Sequence, residues 1–315
     1  MTAERNADQV LRRLEEIATK SPELRVTARL YEALLPAWQK AEVAGAVAPF
    51  DGIKLGQVLK GGTPLLAAAD IEVDLDGGAA VLLAMLRAVG ELEPPAVRRS
   101  IWRRWGRPAE VWSESEAASL AALRRSAREL LGGIDAGEID PAELLALAAS
   151  GDLAGFSARV ARGTADWELP WTVAHHALRP FLHEVRSRAP LVEIGVWQRG
   201  ECYVCGAAAT FAELQDDDQV KHLRCTECGA DWHHPRLQCH HCGNEDHATL
   251  RYLYVDGSDH RRVEVCDVCR SYLKVIASFT PTSTDLLVVE DLATLDLDFL
   301  AQHKGYCRPC RGVAL

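Results

Sequence analysis

The sequence predicts an α+β protein, with a multihelical N-terminal domain followed by two tandem four-cysteine β modules. Three observations predict it. All ten cysteines of the 315-residue chain lie between Cys202 and Cys310, and the first 201 residues contain none. Apolar residues recur at helical spacing in the cysteine-free part but alternate in short runs after residue 198. The cysteines form five C-x-x-C pairs, 202/205, 225/228, 239/242, 266/269 and 307/310, separated by 19, 10, 23 and 37 residues.

The helical elements come first along the chain. ADQVLRRLEEIATK (7–20) puts Val10, Leu11, Leu14 and Ile17 on one stripe. PELRVTARLYEALLPAWQKAEV (22–43) continues the pattern, with Pro36 expected to kink or break it. DGGAAVLLAMLRAVGEL follows. SESEAASLAALRRSARELLGG (113–133) opens on a capping-box pattern, Ser113 and Glu116, and is expected to end in its glycines. DPAELLALAASG and LPWTVAHHALRPFLHEV supply further helices. His175 and His176 read as surface or satisfied polar positions, because adjacent helix residues face two directions. Trp102, Trp105 and Trp112 suit either a core or a contact. The pattern breaks at Pro190, which places domain boundaries at 1–190, 191–236, 237–290 and 291–315.

Past the break the period becomes two. ATFAEL and VKHLRC flank QDDDQ as strand, turn, strand, and TLRYLYV and RRVEVC flank DGSDH in the same way. Set side by side, the segments form a duplication. Unit one is CYVCG, hairpin, CTECG, ADWHHPRL; unit two is CHHCG, hairpin, CDVCR, SYLKVIASF. Knuckle, hairpin, knuckle and closing strand is the order of a zinc-ribbon or rubredoxin-like unit. A C-x-x-C turn brings two sulfurs to one ion, and a following glycine takes the φ > 0 conformation that tight turns need. Cys205, Cys228 and Cys242 are followed by glycine; Cys269 is followed by Arg270, the least typical knuckle.

The expected ligands are therefore Cys202, Cys205, Cys225 and Cys228 for one ion, and Cys239, Cys242, Cys266 and Cys269 for a second. Four thiolates suit Zn²⁺ or a single iron. Nested pairing, 202/205 with 266/269, would split both hairpins from their knuckles. His233 and His234 read as solvated loop residues, with donation to sulfur or a partner contact as the alternative, whereas His240 and His241, inside a C-x-x-C pair, read as pointing away from a full site. Cys307 and Cys310 have no companion pair and read as a free, mobile dithiol.

Totals restrict the function. A formal net charge of −10, with 12 Lys+Arg against 19 Asp+Glu from residue 191 onward, opposes a nucleic-acid partner. No run of 18 apolar residues exists to span a membrane. LEEIATK stands where the apolar core of a signal peptide would be, so the expected compartment is the cytoplasm, where thiols stay reduced. No Ser/His/Asp order, phosphate-cradling loop or H-E-x-x-H is present, so no catalytic residue and no enzyme is expected.

Several stretches together resemble the formate dehydrogenase accessory protein family (FdhE type): CYVCG; LRCTECGADWHHPRLQCHHCGN, with Trp232 and Arg236; CDVCRSYLK, with Tyr272 and Lys274; and DLATLDLDFLAQHKGY. GGTPLL (61–66) and WTVAHHALRPFL (171–182) match the family's style in the helical part. The resemblance implies a cytoplasmic maturation factor that binds the catalytic subunit of respiratory formate dehydrogenase before export. It favours iron over zinc in two rubredoxin-like sites, and makes Trp232, Arg236, Tyr272 and Lys274 candidates for supporting the ions or touching the partner. The final C-x-x-C pair departs from the family pattern. Two other classes compete, a rubredoxin-like electron-transfer or thiol redox protein and a zinc-ribbon nucleic-acid module. Self-association is left open.

Overall fold

Each apolar stripe in the first part finds another to face, and a helical bundle results. The computed structural model describes residues 3–41, 57–68, 75–93, 112–164, 166–189, 196–255, 257 and 260–309. Helices α1 (Ala3–Lys20), α2 (Arg25–Gln39), α3 (Leu75–Gly90), α4 (Glu114–Asp135), α5 (Pro141–Ser150), α6 (Leu153–Val160) and α7 (Glu168–Arg188) follow in order. Val10, Leu14 and Ile17 of α1 are buried, at i, i+4 and i+7, whereas Leu11 falls off that stripe and is 41% exposed. Pro36 lies inside α2 without ending it.

Ser113 caps α4 as predicted, accepting from the Glu116 amide while the Glu116 carboxylate accepts from the Ser113 amide. The helix does not stop at Gly132–Gly133 but at Asp135, and the left-handed residue after it is Gly137. Gly133 lies buried in the helix beside Ile139, which is where its missing side chain is used. His176 departs from expectation. It faces the core from α7, its ring 5.0 Å from Tyr31 and 6.3 Å from Trp38, and its Nδ1 has no hydrogen-bond partner among the described residues. His175 bonds the Trp171 carbonyl. Trp112 is buried with the Arg25 guanidinium over its ring; Trp102 and Trp105 lie outside the described residues.

The cysteine-rich part is one sheet. Strands β1 (Phe211–Gln215), β2 (Val220–Arg224), β3 (Asp231–His233), β4 (Leu250–Leu253), β5 (Arg261–Cys266) and β6 (Tyr272–Ser278) run in the order β3-β2-β1-β6-β5-β4. Each duplicated unit supplies three antiparallel strands. The two halves join through parallel pairing of β1 with β6, Phe211 opposite Lys274 and Gln215 opposite Ser278. Residues opposite one another share a face. One face carries Ala212, Leu214, Leu223, Trp232, Leu273 and Val275, which bury against Leu182 and Val185 of α7 and the 59–66 segment.

The opposite face holds Phe211, Glu213, Arg224, Val263, Tyr272 and Lys274. Helices α8 (Thr284–Ala293) and α9 (Leu295–His303) close the chain. The sequence reading places 284–290 in the second module, yet α8 packs into the helical core through Val288, Val289 and Leu292. Arg13 of α1 chelates Glu290 of α8 at 2.7 and 2.9 Å. Helix α9 covers β5 and β6 with Leu297 and Ala301. The helical bundle is thus completed by a helix that follows the sheet.

Candidate metal centres

Four knuckles of the same shape set the eight sulfurs. In each, the amide of the residue after the second cysteine donates to the carbonyl of the first: Gly206 to Cys202, Gly229 to Cys225, Gly243 to Cys239 and Arg270 to Cys266, at 2.9 to 3.0 Å. Those four residues have φ of +75°, +75°, +73° and +59°. Arg270 adopts the glycine conformation at a steric cost and makes contacts no glycine could. Its guanidinium lies 4.1 Å from the Tyr306 ring centroid and donates to the carbonyls of Lys304 and Gly305.

The sulfurs group in tandem, as Cys202, Cys205, Cys225 and Cys228 and as Cys239, Cys242, Cys266 and Cys269, each set within 4.8 Å. Facing pairs are 3.4 Å (Cys202–Cys228) and 3.5 Å (Cys205–Cys225) apart in the first set, and 3.7 Å (Cys239–Cys269) and 3.8 Å (Cys242–Cys266) in the second. A disulfide needs about 2.0 Å. A tetrahedron with metal–sulfur bonds of about 2.3 Å has edges of about 3.8 Å. Both sets fit a tetrathiolate ion.

Charge supports the fit. Hydrogen bonds from Cys202, Cys205 and Cys228 hold the Cys225 thiol well below its usual range. Cys205 is pushed up by its thiol neighbours, Cys202 first, and Cys228 by burial first. The cluster without a cation accommodates one thiolate at the others' expense, and a divalent ion is what lets four ionise together.

The two cages differ in their surroundings. The first is sealed, its four cysteines at most 1% exposed. Leu65 and Leu66 amides donate to the Tyr203 and Val204 carbonyls, and the Arg179 guanidinium of α7 binds the Thr226 carbonyl and reaches Glu227. Trp232 packs edge-on to Tyr203 and donates to the Arg199 carbonyl. In the second cage Cys239 and Cys266 are buried, Cys269 is half-buried and Cys242 is exposed. The Ser271 hydroxyl lies 3.0 Å from the Cys269 sulfur, and the Asn244 amide donates to Cys266 at 3.7 Å. Burial raises the Cys269 thiol, but the Ser271 hydroxyl and amide outweigh it and carry the group down.

The remaining predicted residues separate. Arg236 is exposed and lines a 220 Å³ cavity with Cys239, His240, Tyr252, Cys266 and Ser271. Among the described residues, the side chains of Tyr272 and Lys274 bond to carboxylates and not to a sulfur. Lys274, fully buried, binds Asp298 at 2.6 Å and Asp291 at 2.8 Å, while the Tyr272 hydroxyl donates to Asp298 at 2.6 Å. Arg308 binds both Asp291 oxygens at 3.0 Å. Together these groups clamp α8, α9 and the following segment to the sheet.

A second buried pair, Arg224 with Glu213, ties β1 and β2 to residue 282, where the Thr282 amide donates to Glu213 and its carbonyl accepts from Arg224. Charged residues within otherwise alternating strands were the available signal for both networks. The histidines also correct the reading. His234 is 1% exposed and so is not a solvated loop residue, while His240 is 8% exposed and its Nε2 lacks a hydrogen-bond partner among the described residues. Cys307 is exposed and bridged to the fourth knuckle, its amide donating to the Arg270 carbonyl and its own carbonyl accepting from Tyr272. Cys310 lies outside the described residues.

Residues 237–315 match the family model of the FdhE C-terminal domain. The chain is 28% identical over 134 residues to a protein FdhE homolog of Aquifex aeolicus, covering 42% of this chain and 47% of that protein. It is 33% identical over 153 residues to a protein FdhE homolog of Stutzerimonas stutzeri, covering 47% and 46%. Those matches therefore span about half the length of these relatives. The crystal structure of the FdhE protein from Pseudomonas aeruginosa superposes with a TM-score of 0.55 at 22% identity, covering 98% of this chain and 94% of that one. The superposition shows a shared fold. The domain match, the curated relatives and the common fold agree in likening the chain to the FdhE family, whose C-terminal domain its residues 237–315 match.

Proposed function

We propose that this protein is an accessory factor for formate dehydrogenase, which binds the catalytic subunit of a respiratory enzyme in the cytoplasm before export and takes no catalytic part itself. The observation that carries the reading is the coupling of two tetrathiolate cages, in one six-stranded sheet, to a helical bundle that the chain re-enters through α8. Likeness to the FdhE family supports the formate dehydrogenase assignment. Among the described residues, no helix is long and apolar enough to cross a membrane.

In this reading the ions supply fold rather than turnover. Each module is too thin to bury a core of its own, and a structural ion contributes on the order of 10–16 kcal/mol of apparent binding free energy to such units. Iron is the ion the family resemblance favours; the sulfur geometry suits zinc equally. Affinity capture from cells making a respiratory formate dehydrogenase tests the partner. The catalytic subunit is expected in the captured fraction, and deletion of the gene is expected to abolish formate oxidation while the subunit persists. Normal activity in the deletion strain overturns the assignment.

A second reading, one-electron transfer, is favoured by one observation: the open second cage carries a hydroxyl donor to sulfur, which is a means of tuning a redox potential. Iron-loaded protein would then be coloured and bleach reversibly on reduction, whereas colourless zinc-loaded protein leaves both cages a folding role.

A further inference from the structure

The two cages have the same ligands and opposite surroundings. The first lies inside a core shared with α7 and the 59–66 segment. A Cβ on its knuckle residue Gly229 would fall 2.2 Å from the Thr284 side chain at the start of α8, so that knuckle is roofed by another element. In the second cage, Gly243, the knuckle residue after Cys242, has nothing within 4 Å of the same position. His241, Cys242 and Gly243 are all exposed, and so are residues 245–248 that follow. From another side, the 220 Å³ cavity reaches Cys239, Cys266 and Ser271. The second cage is therefore open at a ligand, Cys242, and approached by a cavity at two more.

We propose that the second cage is a ligand-exchange centre, at which a thiolate from another molecule replaces Cys242 on the ion, while the first cage is a closed structural site. Tetrahedral thiolate ions exchange by association: the incoming sulfur must reach the metal before a resident one leaves. That route needs free space beside the ion, and sealed sites deny it. At the second cage the incoming thiolate–metal bond forms, the metal–Cys242 bond breaks, and the released Cys242 thiolate takes a proton from water. No electron moves, and the co-reactant is a thiolate. Cys242 is the leaving ligand because it is the exposed one, and Gly243 beside it has no neighbour within 4 Å of its Cβ position. Cys239 and Cys266 are buried, the latter continuing β5, and Cys269 is held by the Ser271 hydroxyl. In the first cage Cys205, the counterpart of Cys242, is fully buried, and moving Cys228 would drive Gly229 into Thr284.

The proposal goes beyond the accessory role and is tested without a client. Full-length protein loaded with two zinc ions is mixed with excess dithiol chelator, and released metal is followed with time. Alkylation of each cysteine by iodoacetamide is followed in parallel by mass spectrometry. One ion per chain is expected to leave at least about tenfold faster than the other, a range that changes around a metal site commonly produce. Cys242 should be alkylated first, and Cys202, Cys205, Cys225 and Cys228 last. A Cys242→Ser variant should keep its fold and one tightly held ion, read by circular dichroism and metal assay. A single release rate with all eight thiols labelled together overturns the proposal, as does earlier labelling of the first cage. Protein that binds no ion overturns it too, along with the metal reading itself. Failure to capture a catalytic subunit, by contrast, would reject the accessory role and leave the two release rates unaffected.

Discussion

At the scale of single residues, position rather than identity decides what a side chain does. His233 and His234 are neighbours, yet only His234 is sealed, where burial first and Lys221 second hold its imidazole down to about 4. A histidine held below its unfolded value of about 6.5 contributes stability that is complete above that value and is lost as pH falls toward the folded one. Between pH 7 and pH 5 the unfolding free energy should fall by roughly 1–2 kcal/mol for this group. His234→Gln should flatten that part of the profile, read as the urea midpoint against pH with metal content checked at each point. Arg270 makes the complementary case. Its left-handed backbone costs about 1 kcal/mol that glycine would avoid, but its guanidinium holds the Lys304 and Gly305 carbonyls. Arg270→Gly is expected to keep both ions and loosen residues 304–307, seen as faster alkylation of Cys307 and faster amide exchange there. Unchanged exchange would mean that the ring of Tyr306 and the Cys307 backbone bonds suffice.

Among elements, the decisive contacts are the two buried charge networks on one face of the sheet. The Lys274 ammonium is fully buried and satisfied by Asp298 and Asp291, and burial, which would raise Asp291, is outweighed by Lys274 and Arg308, so that its carboxyl is held at about 2. A depressed carboxyl contributes stability above its unfolded value and loses it only as pH falls through the folded one, so this clamp should survive mild acid. Removing one partner leaves a buried charge short of a counter-ion. Asp298→Ala is expected to cost about 3–5 kcal/mol, and pairing it with Lys274→Met should return much of the loss, because the uncompensated ammonium goes with it. Chemical denaturation of the single and double variants checks both. At the other end of the chain Ser113→Ala should cost about 1 kcal/mol, the price of one helix cap.

For the whole molecule, the path of the chain is the controlling fact. It leaves the bundle at α7, builds the sheet, and returns through α8 to pack Val288, Val289 and Leu292 against α1 and its neighbours. The sheet in turn shares its apolar face with Leu182 and Val185 of α7. Neither part is complete without the other. Metal-loaded protein should therefore unfold in one calorimetric transition, and stripping both ions should lower the midpoint seen by helical and sheet signals together. Two separated transitions in the loaded chain would show the parts to be independent. Gly229→Ala offers a local test of the same coupling. Its Cβ would collide with Thr284 in a backbone conformation that already disfavours it, so α8 should detach and the midpoint fall.

What the sequence determined alone is the local chemistry: the break after residue 201, the capping box at Ser113, the hairpins, the φ > 0 knuckles and the tandem grouping of eight sulfurs. Each of these depends on neighbours within a few tens of residues, and spacing therefore carries it. The sequence could not show that β1 pairs with β6, that the two units share one sheet, or that α8 belongs to the bundle. Nor could it show that Tyr272 and Lys274 serve a charge clamp rather than an ion, because the partners Asp291 and Asp298 lie far along the chain. Two cages identical in ligands became unlike only through what folds over them. Burial is a property of the packed whole, and it gave one cage a roof and left the other at the surface.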